Sequence, residues 1–439
     1  MTFRVHSMGA RFAASLAVSS LALFAGWLIV KPWLAQRRLS EPSSGEGLLR
    51  AISYDPRNPD WYYRLGLYRH YDPLGRDLTG AMSSYSTAIN LSPFKSDYWL
   101  ELSKVYEDLN DRAGLEKALN RALVLNPADP KARWRTVNYY LRQADTDGAL
   151  EGLKLIIKDH PGERIKAFSL LHFITGNDVE LIIKRALPGQ PSRTAGGPEP
   201  MAEYLYFLMK RKDTEGAKTL WKALAAGKDM DPEARVAYIE YLISSGEMVD
   251  AEEEWRSYKG MAGKSANIVW NGGFEEDISN QGFDWRMEGV EGADADVDDR
   301  VSFKGKRSLR IEFDGKHNVA FYHAYQMVPL EPGTEYTLSA GMKTEDITTN
   351  SGIFIRLEGI NGCNLSMRTE TLIGTNAWKE LKVGFTTPPD CTGGVVVLRR
   401  LRSEKLDNLI AGRAWVDEVR LEKSYAAAEQ GVRGAGGPT

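Results

Sequence analysis

The hydrophobic pattern changes twice along the chain, and each change marks a different kind of element. From Phe12 to Val30 no residue is charged. A helix of those 19 residues, at about 1.5 Å per residue, comes close to the ~30 Å of a bilayer core, which predicts a transmembrane anchor over 12–31 behind a cytoplasmic tail at 1–11. A cleavable signal would carry a shorter apolar stretch. Here the run ends in Trp27-Leu28-Ile29-Val30 and continues as Lys31-Pro32-Trp33, the aromatic and basic pairing of a membrane interface. Over 43–260 the apolar positions recur with the 3.6 period of helices. At Asn267 the period drops to 2: Leu309-Ile311-Phe313, Tyr336-Leu338-Ala340-Met342, Ile353-Ile355-Leu357 and Leu381-Val383-Phe385 alternate with other residues, as strands with one buried face do. Turn signals at Gly305-Lys306, Glu331-Pro332-Gly333-Thr334 and Pro388-Pro389-Asp390 separate these runs and predict an antiparallel β-sandwich over 266–423. The Ala/Gly-rich tail at 424–439 predicts disorder.

Proline punctuates the helical stretch. Asp55-Pro56, Ser92-Pro93, Asn126-Pro127 and His160-Pro161 each close an amphipathic segment, and the last three prolines stand 34 residues apart. Ala51, Ala88 and Ala122 each lie five residues before such a proline, where two helices must approach closely. The first spacing is 37, which places three extra residues in the turn His70–Gly75. After the Pro/Gly-rich break Pro188–Pro198 the register recovers, with Ala217 and Trp221 answered 34 residues later by Ala251 and Trp255.

Composition adds exclusions. With 56 Lys and Arg against 59 Asp and Glu the net charge is −3, so no generic nucleic-acid footprint is expected. The two cysteines, Cys363 and Cys391, and six scattered histidines are too few for a zinc ribbon or a disulfide-dense scaffold. No nucleophile elbow, His-Glu-x-x-His, phosphate loop or dinucleotide fingerprint is present, and nothing nominates a reaction. The acidic run Asp294–Asp299 imitates a calcium loop but lacks its Gly and Glu, and reads as a solvated strand end.

The 34-residue period, together with Tyr62-Leu65-Gly66 and Trp99-Leu102-Ser103-Tyr106, resembles tetratricopeptide-repeat proteins. The resemblance implies a half repeat and about six helix pairs stacked as a superhelix over 43–260, with a groove that binds an extended or helical protein segment. By family register the groove positions are Tyr63, Leu67, Leu100, Lys104, Trp134 and Asn138. Lys131 and Arg135 match part of a carboxylate clamp, but Tyr63 and Leu67 replace its other members.

A second resemblance covers 266–423. Asn271-Gly272-Gly273-Phe274-Glu275, Phe283-Asp284-Trp285, Gly305–Ile311, Tyr325–Leu330, Pro332–Ala340, Trp378–Leu381 and Ala414–Val419 occur in the order of the carbohydrate-binding modules of families 4, 9 and 22. It implies a galactose-binding-like jelly roll with a glycan cleft on one sheet. With the apolar sets inward, the opposite faces carry Arg310, Phe354 and Arg356, besides Glu312, Lys343, Glu358, Trp378, Glu380 and Lys382. Tyr322 or Tyr325 should join them, though parity within Phe321–Tyr325 leaves open which one faces outward. Such a charged cleft fits an acidic polysaccharide, with Arg310 and Arg356 reaching a carboxylate. Trp285 and Trp415 read as core. The family often holds a structural calcium, for which Glu275 and Asp417 match.

The charges flanking the apolar run are balanced, so orientation rests on the short N-terminal tail and on the resemblance to extracytoplasmic modules, which place the bulk of the chain in a bacterial periplasm with the anchor in the inner membrane. Cys363 and Cys391 then either form a disulfide or remain two buried thiols. Two functions follow. One is a non-catalytic adaptor holding a membrane or periplasmic protein of an exopolysaccharide or O-antigen machine through the repeats, and glycan through the jelly roll. The other is a protein-only scaffold for a secretion or motility assembly.

Overall fold

The computed structural model describes residues 8–38, 44–187, 200–225, 231–261 and 266–424. The tail beyond Ser424 and the Pro188–Pro198 break lie outside the described residues. The first helix, α1 (Met8–Arg38), is followed by α2 (Gly45–Tyr54), α3 (Pro59–Tyr71), α4 (Leu78–Leu91), α5 (Ser96–Asp108), α6 (Arg112–Leu125), α7 (Pro130–Arg142), α8 (Thr146–Asp159), α9 (Arg164–Thr175) and α10 (Val179–Arg185). Then come α11 (Pro200–Lys210), α12 (Thr214–Ala225), α13 (Pro232–Ser244) and α14 (Met248–Tyr258).

The membrane anchor is corrected. Among the described residues no helix is long and apolar enough to cross a membrane. Nine of the 19 residues from Phe12 to Val30 are Ala, Ser or Gly, whose small side chains carry little apolar area to transfer at about 25 cal/mol per Å². The inner-membrane placement, and the orientation built on it, fall with the anchor.

The 34-residue period has a local cause in the capping. Asp77, Asp111 and Asp145 each cap the second helix of a pair by accepting the N–H of Gly80, Gly114 and Gly148, at 2.8, 3.0 and 2.9 Å. Asp213 does the same for Gly216 at 2.9 Å. Glycine is required at the third position by packing: a Cβ on Gly114 or Gly148 would lie 2.6 or 2.7 Å from the rings of Tyr106 or Tyr140. Pro59, Pro130 and Pro232 start first helices, where the missing N–H costs nothing. Ala51, Ala88 and Ala122 are buried at the close approaches.

The strands are β1 (Arg286–Met287), β2 (Ala293–Asp298), β3 (Ser308–Asp314), β4 (Phe321–Pro329), β5 (Glu335–Ile347), β6 (Phe354–Gly359), β7 (Ser366–Arg368), β8 (Gly374–Thr386), β9 (Gly393–Arg400) and β10 (Ala411–Lys423). They form two five-stranded sheets with the orders β1-β4-β9-β6-β7 and β2-β3-β10-β5-β8, every pair antiparallel. Between them lies a core built from the alternating residues of both sheets, including Leu309, Ile311, Leu338, Ile355, Leu357 and Leu398. At one end of the sandwich Arg400 is buried and donates to the Ser351 and Val319 carbonyls and to Asn318 Oδ1, with Thr349 Oγ1 and the Asn408 carbonyl at longer range. Burial pushes its guanidinium pKa down. Carbonyl dipoles thus replace water around a charge that has no carboxylate partner among these contacts.

The chain divides into two compact units, Met1–Phe207 and Leu208–Thr439. Helices α12–α14 therefore cluster with the sandwich rather than with the helices before them.

Candidate functional site

Cross-strand register assembles the outer face of the first sheet. Arg286 of β1 is paired with Tyr325 of β4, Tyr325 with Val397 of β9, Val397 with Arg356 of β6, and Arg356 with Arg368 of β7. These five side chains make one row across the sheet, about 19 Å long at the usual strand spacing. Phe354 and Arg399 form a neighbouring pair on one side of the row and Glu358 and Val395 on the other. Arg356 Nε lies 2.9 Å and Arg399 Nη1 3.0 Å from Glu358 Oε1, and Arg356 Nη2 donates to Ser366 Oγ at 2.9 Å. Arg368 is exposed, has no acidic partner among the described residues, and covers the ring of buried Phe354 at 5.4 Å. Two guanidinium groups thus hold one carboxylate at this end, and Arg368 stands beside Arg356.

The other end of the row is closed differently. Tyr325 donates from its hydroxyl to Glu288 at 2.9 Å, and burial, with that bond, pushes its phenol pKa up. Burial also holds the His323 imidazole below its usual range. The parity left open in the sequence is resolved by a register shift between Phe321 and Ala324, which turns both of these inward and leaves both Tyr322 and Tyr325 out of the core. Tyr322, 51% exposed, stacks on His323 with ring centroids 4.2 Å apart.

Arg310 is not part of this face. It belongs to β3 of the second sheet, in the row Asp296, Arg310, Trp415, Lys343. The cleft expected from sequence therefore separates into two outer faces on opposite sides of the sandwich, because alternation says inward or outward but not which sheet. The second face holds a depression of about 460 Å³ lined by Asp296, Asp298, Arg310, Lys343, Arg413 and Trp415 among others. Trp415 is buried here and not in the inter-sheet core: Lys343 Nζ sits 4.8 Å over its ring and its Nε1 donates to Asp298 at 2.9 Å. That bond and backbone N–H donors outweigh burial and hold the Asp298 carboxyl below its usual range. Trp285, by contrast, is fully buried in the core.

Glu275 and Asp417 meet at one turn. Glu275 Oε1 accepts the N–H groups of Lys306 and Arg307 at 2.7 and 3.1 Å, which lower its pKa. Asp417 Oδ2 accepts those of Phe303 and Lys304 at 2.8 and 2.9 Å, and Oδ1 that of Glu418 at 2.7 Å. Burial still pushes the Asp417 carboxyl up. Three of the four carboxylate oxygens thus face donors, and the described residues contain no group of three or more His, Cys, Asp or Glu able to hold a metal ion. The pair staples the Phe303–Arg307 turn through these bonds.

Cys363 and Cys391 are joined in a disulfide that ties the loop after β6 to the turn before β9. Among the six groove positions, Leu100 is 4% exposed in the inter-helix core, Tyr63 and Leu67 are half-buried against the Tyr85 and Tyr98 cluster, and Lys104 is held by Glu101 at 2.6 Å. Trp134 donates to Glu163 at 2.9 Å, and Asn138 is exposed.

Residues 266–399 match the family model described as a carbohydrate binding domain. The chain is 30% identical over 166 residues to the tRNA(Glu)-specific nuclease WapA of Bacillus subtilis subsp. natto, covering 36% of this chain and 7% of that protein. The chain thus spans less than a tenth of the length of the curated relatives it matches. Two solved structures with similar parts are the CBM22-1 xylan-binding domain of Paenibacillus barcinonensis Xyn10C (14% identity, TM-score 0.24, 38% of this chain and 100% of that one) and the MamA protein (17%, 0.29, 38% and 100%).

Proposed function

We propose that the chain is a non-catalytic adaptor whose jelly roll binds an acidic polysaccharide across the outer face of the first sheet and whose repeats hold a protein of a polysaccharide assembly or export machine. The observation that carries this reading is the group Arg356, Arg368 and Arg399 on one face, where Glu358 pairs with Arg356 and Arg399 while Arg368 has no acidic partner among the described residues, on a domain matching the carbohydrate-binding family. Guanidinium groups meet a carboxylate in two parallel hydrogen bonds, so this end suits a uronic acid better than a neutral sugar. Half-buried Tyr325 supplies the flat apolar surface that a sugar ring needs. The alignment with the WapA nucleases lends no reaction, since so little of those proteins is covered.

Affinity electrophoresis of the full chain in gels containing polygalacturonate or neutral xylan tests the reading. The wild type is expected to be retarded by polygalacturonate, and the double variant Arg356→Ala/Arg368→Ala to lose at least tenfold in affinity, each bidentate contact being worth about 1.5–3 kcal/mol. Retardation that survives the double change would move the site off this face. A folded protein that no glycan retards would favour a protein-only scaffold.

A further inference from the structure

The candidate glycan face does not end at the sheet. Helix α13 brings Glu240 to the end of the row, where both of its oxygens lie 2.8 Å from Arg286 Nη2 and Oε1 also accepts the Gly282 N–H at 2.6 Å. Neither side chain is sealed off, at 35% exposure for Glu240 and 21% for Arg286. The carboxylate is part of the field felt by Tyr325, the next residue in the row.

The helices that deliver Glu240 are packed on the sandwich. The Trp255 ring of α14 lies so close beneath Gly282 that a Cβ there would meet it at 2.4 Å, and Gly282 has φ +54. Trp255 meets Trp270 edge to face at 5.9 Å, and Lys259 Nζ covers both rings at 4.8 and 5.4 Å. Met248 reaches Gly393 at the start of β9, where a Cβ would meet it at 2.9 Å. Glu240 is therefore held at the end of the row by a packed support.

The result is a gradient of charge across one face. At β6, β7 and β9 lie three guanidinium groups and the carboxylate of Glu358, which pairs with Arg356 and Arg399. At β1 and β4 stand two carboxylates, Glu240 paired with Arg286 and Glu288 bonded by the Tyr325 hydroxyl. A carboxylate accepts hydrogen bonds and cannot donate them, so the second end matches sugar hydroxyls and repels a ligand carboxylate. Resting on the glycan reading above, we infer that Glu240 is a specificity-determining residue: it makes the face select a polymer in which acidic and neutral sugars are mixed, the acidic residue lying over Arg356 and Arg368 and the neutral one beside Glu240. A glycan module cut at residue 266 would lack this residue.

The test compares full-chain affinity for polygalacturonate with that for half methyl-esterified polygalacturonate, in which neutral residues interrupt the acidic ones. The wild type is expected to prefer the mixed polymer, and Glu240→Gln to reduce that preference at least fivefold with the melting temperature within about 2 °C. Glu240→Asp, which keeps the charge, is expected to retain it. An unchanged preference in Glu240→Gln, with binding still lost in Arg356→Ala/Arg368→Ala, would overturn the inference and leave the glycan reading standing. Equal changes in the Gln and Asp variants would assign the effect to packing and likewise overturn it. Failure of the wild type to bind either polymer would remove both.

Discussion

Replacing Trp285 by alanine is expected to lower the stability of the Leu208–Thr439 unit by about 3–5 kcal/mol, the range for emptying a buried indole site. Trp285 is fully buried, packs on Phe274 with ring centroids 5.1 Å apart, and donates from Nε1 to the Asn271 carbonyl at 3.2 Å. Asn271 and Phe274 hold φ values of +45 and +55, in the left-handed region that costs a non-glycine residue about 1 kcal/mol or more. The Asn271 side chain closes this turn by bonding both the Glu276 carbonyl and N–H, at 2.8 and 3.0 Å. Trp285 is thus both filler and brace, and its loss opens a cavity while releasing a strained turn. Trp285→Phe keeps most of the volume but leaves the Asn271 carbonyl without its donor, for an expected loss of about 1–3 kcal/mol. Urea unfolding followed by near-ultraviolet circular dichroism measures both. A loss below about 1 kcal/mol for the alanine variant would mean that the core collapses around the site and does not depend on the ring.

The disulfide should contribute almost as much. Cys363 and Cys391 are 28 residues apart, and closing a loop of that length in the unfolded chain corresponds to about 3–4 kcal/mol in the chain-entropy account. Both sulfurs sit in the sandwich core, with exposures of 8% and 0%. A Cβ at Gly359 would lie 2.4 Å from the Cys363 sulfur, so the bridge passes against the end of β6. The double variant Cys363→Ala/Cys391→Ala is expected to melt well below the oxidised protein and to weaken polygalacturonate binding, because β6 and β9 carry Arg356, Glu358 and Arg399. Two thiols titrating in the native oxidised protein, or an unchanged melting temperature, would refute this.

Local chemistry was the legible part of the candidate site. In the helical repeats, the proline period legible in the sequence is matched in the structure by caps at Asp77, Asp111 and Asp145, each bond complete within four residues. The inward sets on β3, β5 and β6 follow from period 2 alone. Arg310 reads as part of the glycan set because its strand alternates like that of Arg356, yet the two lie in different sheets. Arg368 and Arg399 carry no pattern signal: β7 has only three residues, too few for alternation to register, and β9 reads as the nearly continuous apolar run Val395–Leu398. Glu240 carries no local signal, as its partner Arg286 is 46 residues away.

The amino-acid sequence by itself determined the repeat length, the change from helices to strands at Asn267, and which side chains leave solvent, since capping, close helix approach and strand alternation act over a few residues. The tertiary structure decided which outward residues share a face, how β4 exposes both tyrosines, and which acid stands beside Arg286. It decided these because the order β1-β4-β9-β6-β7 joins strands that are mostly not neighbours in the chain, and because helices α13 and α14 pack onto the sandwich through contacts that no local pattern encodes.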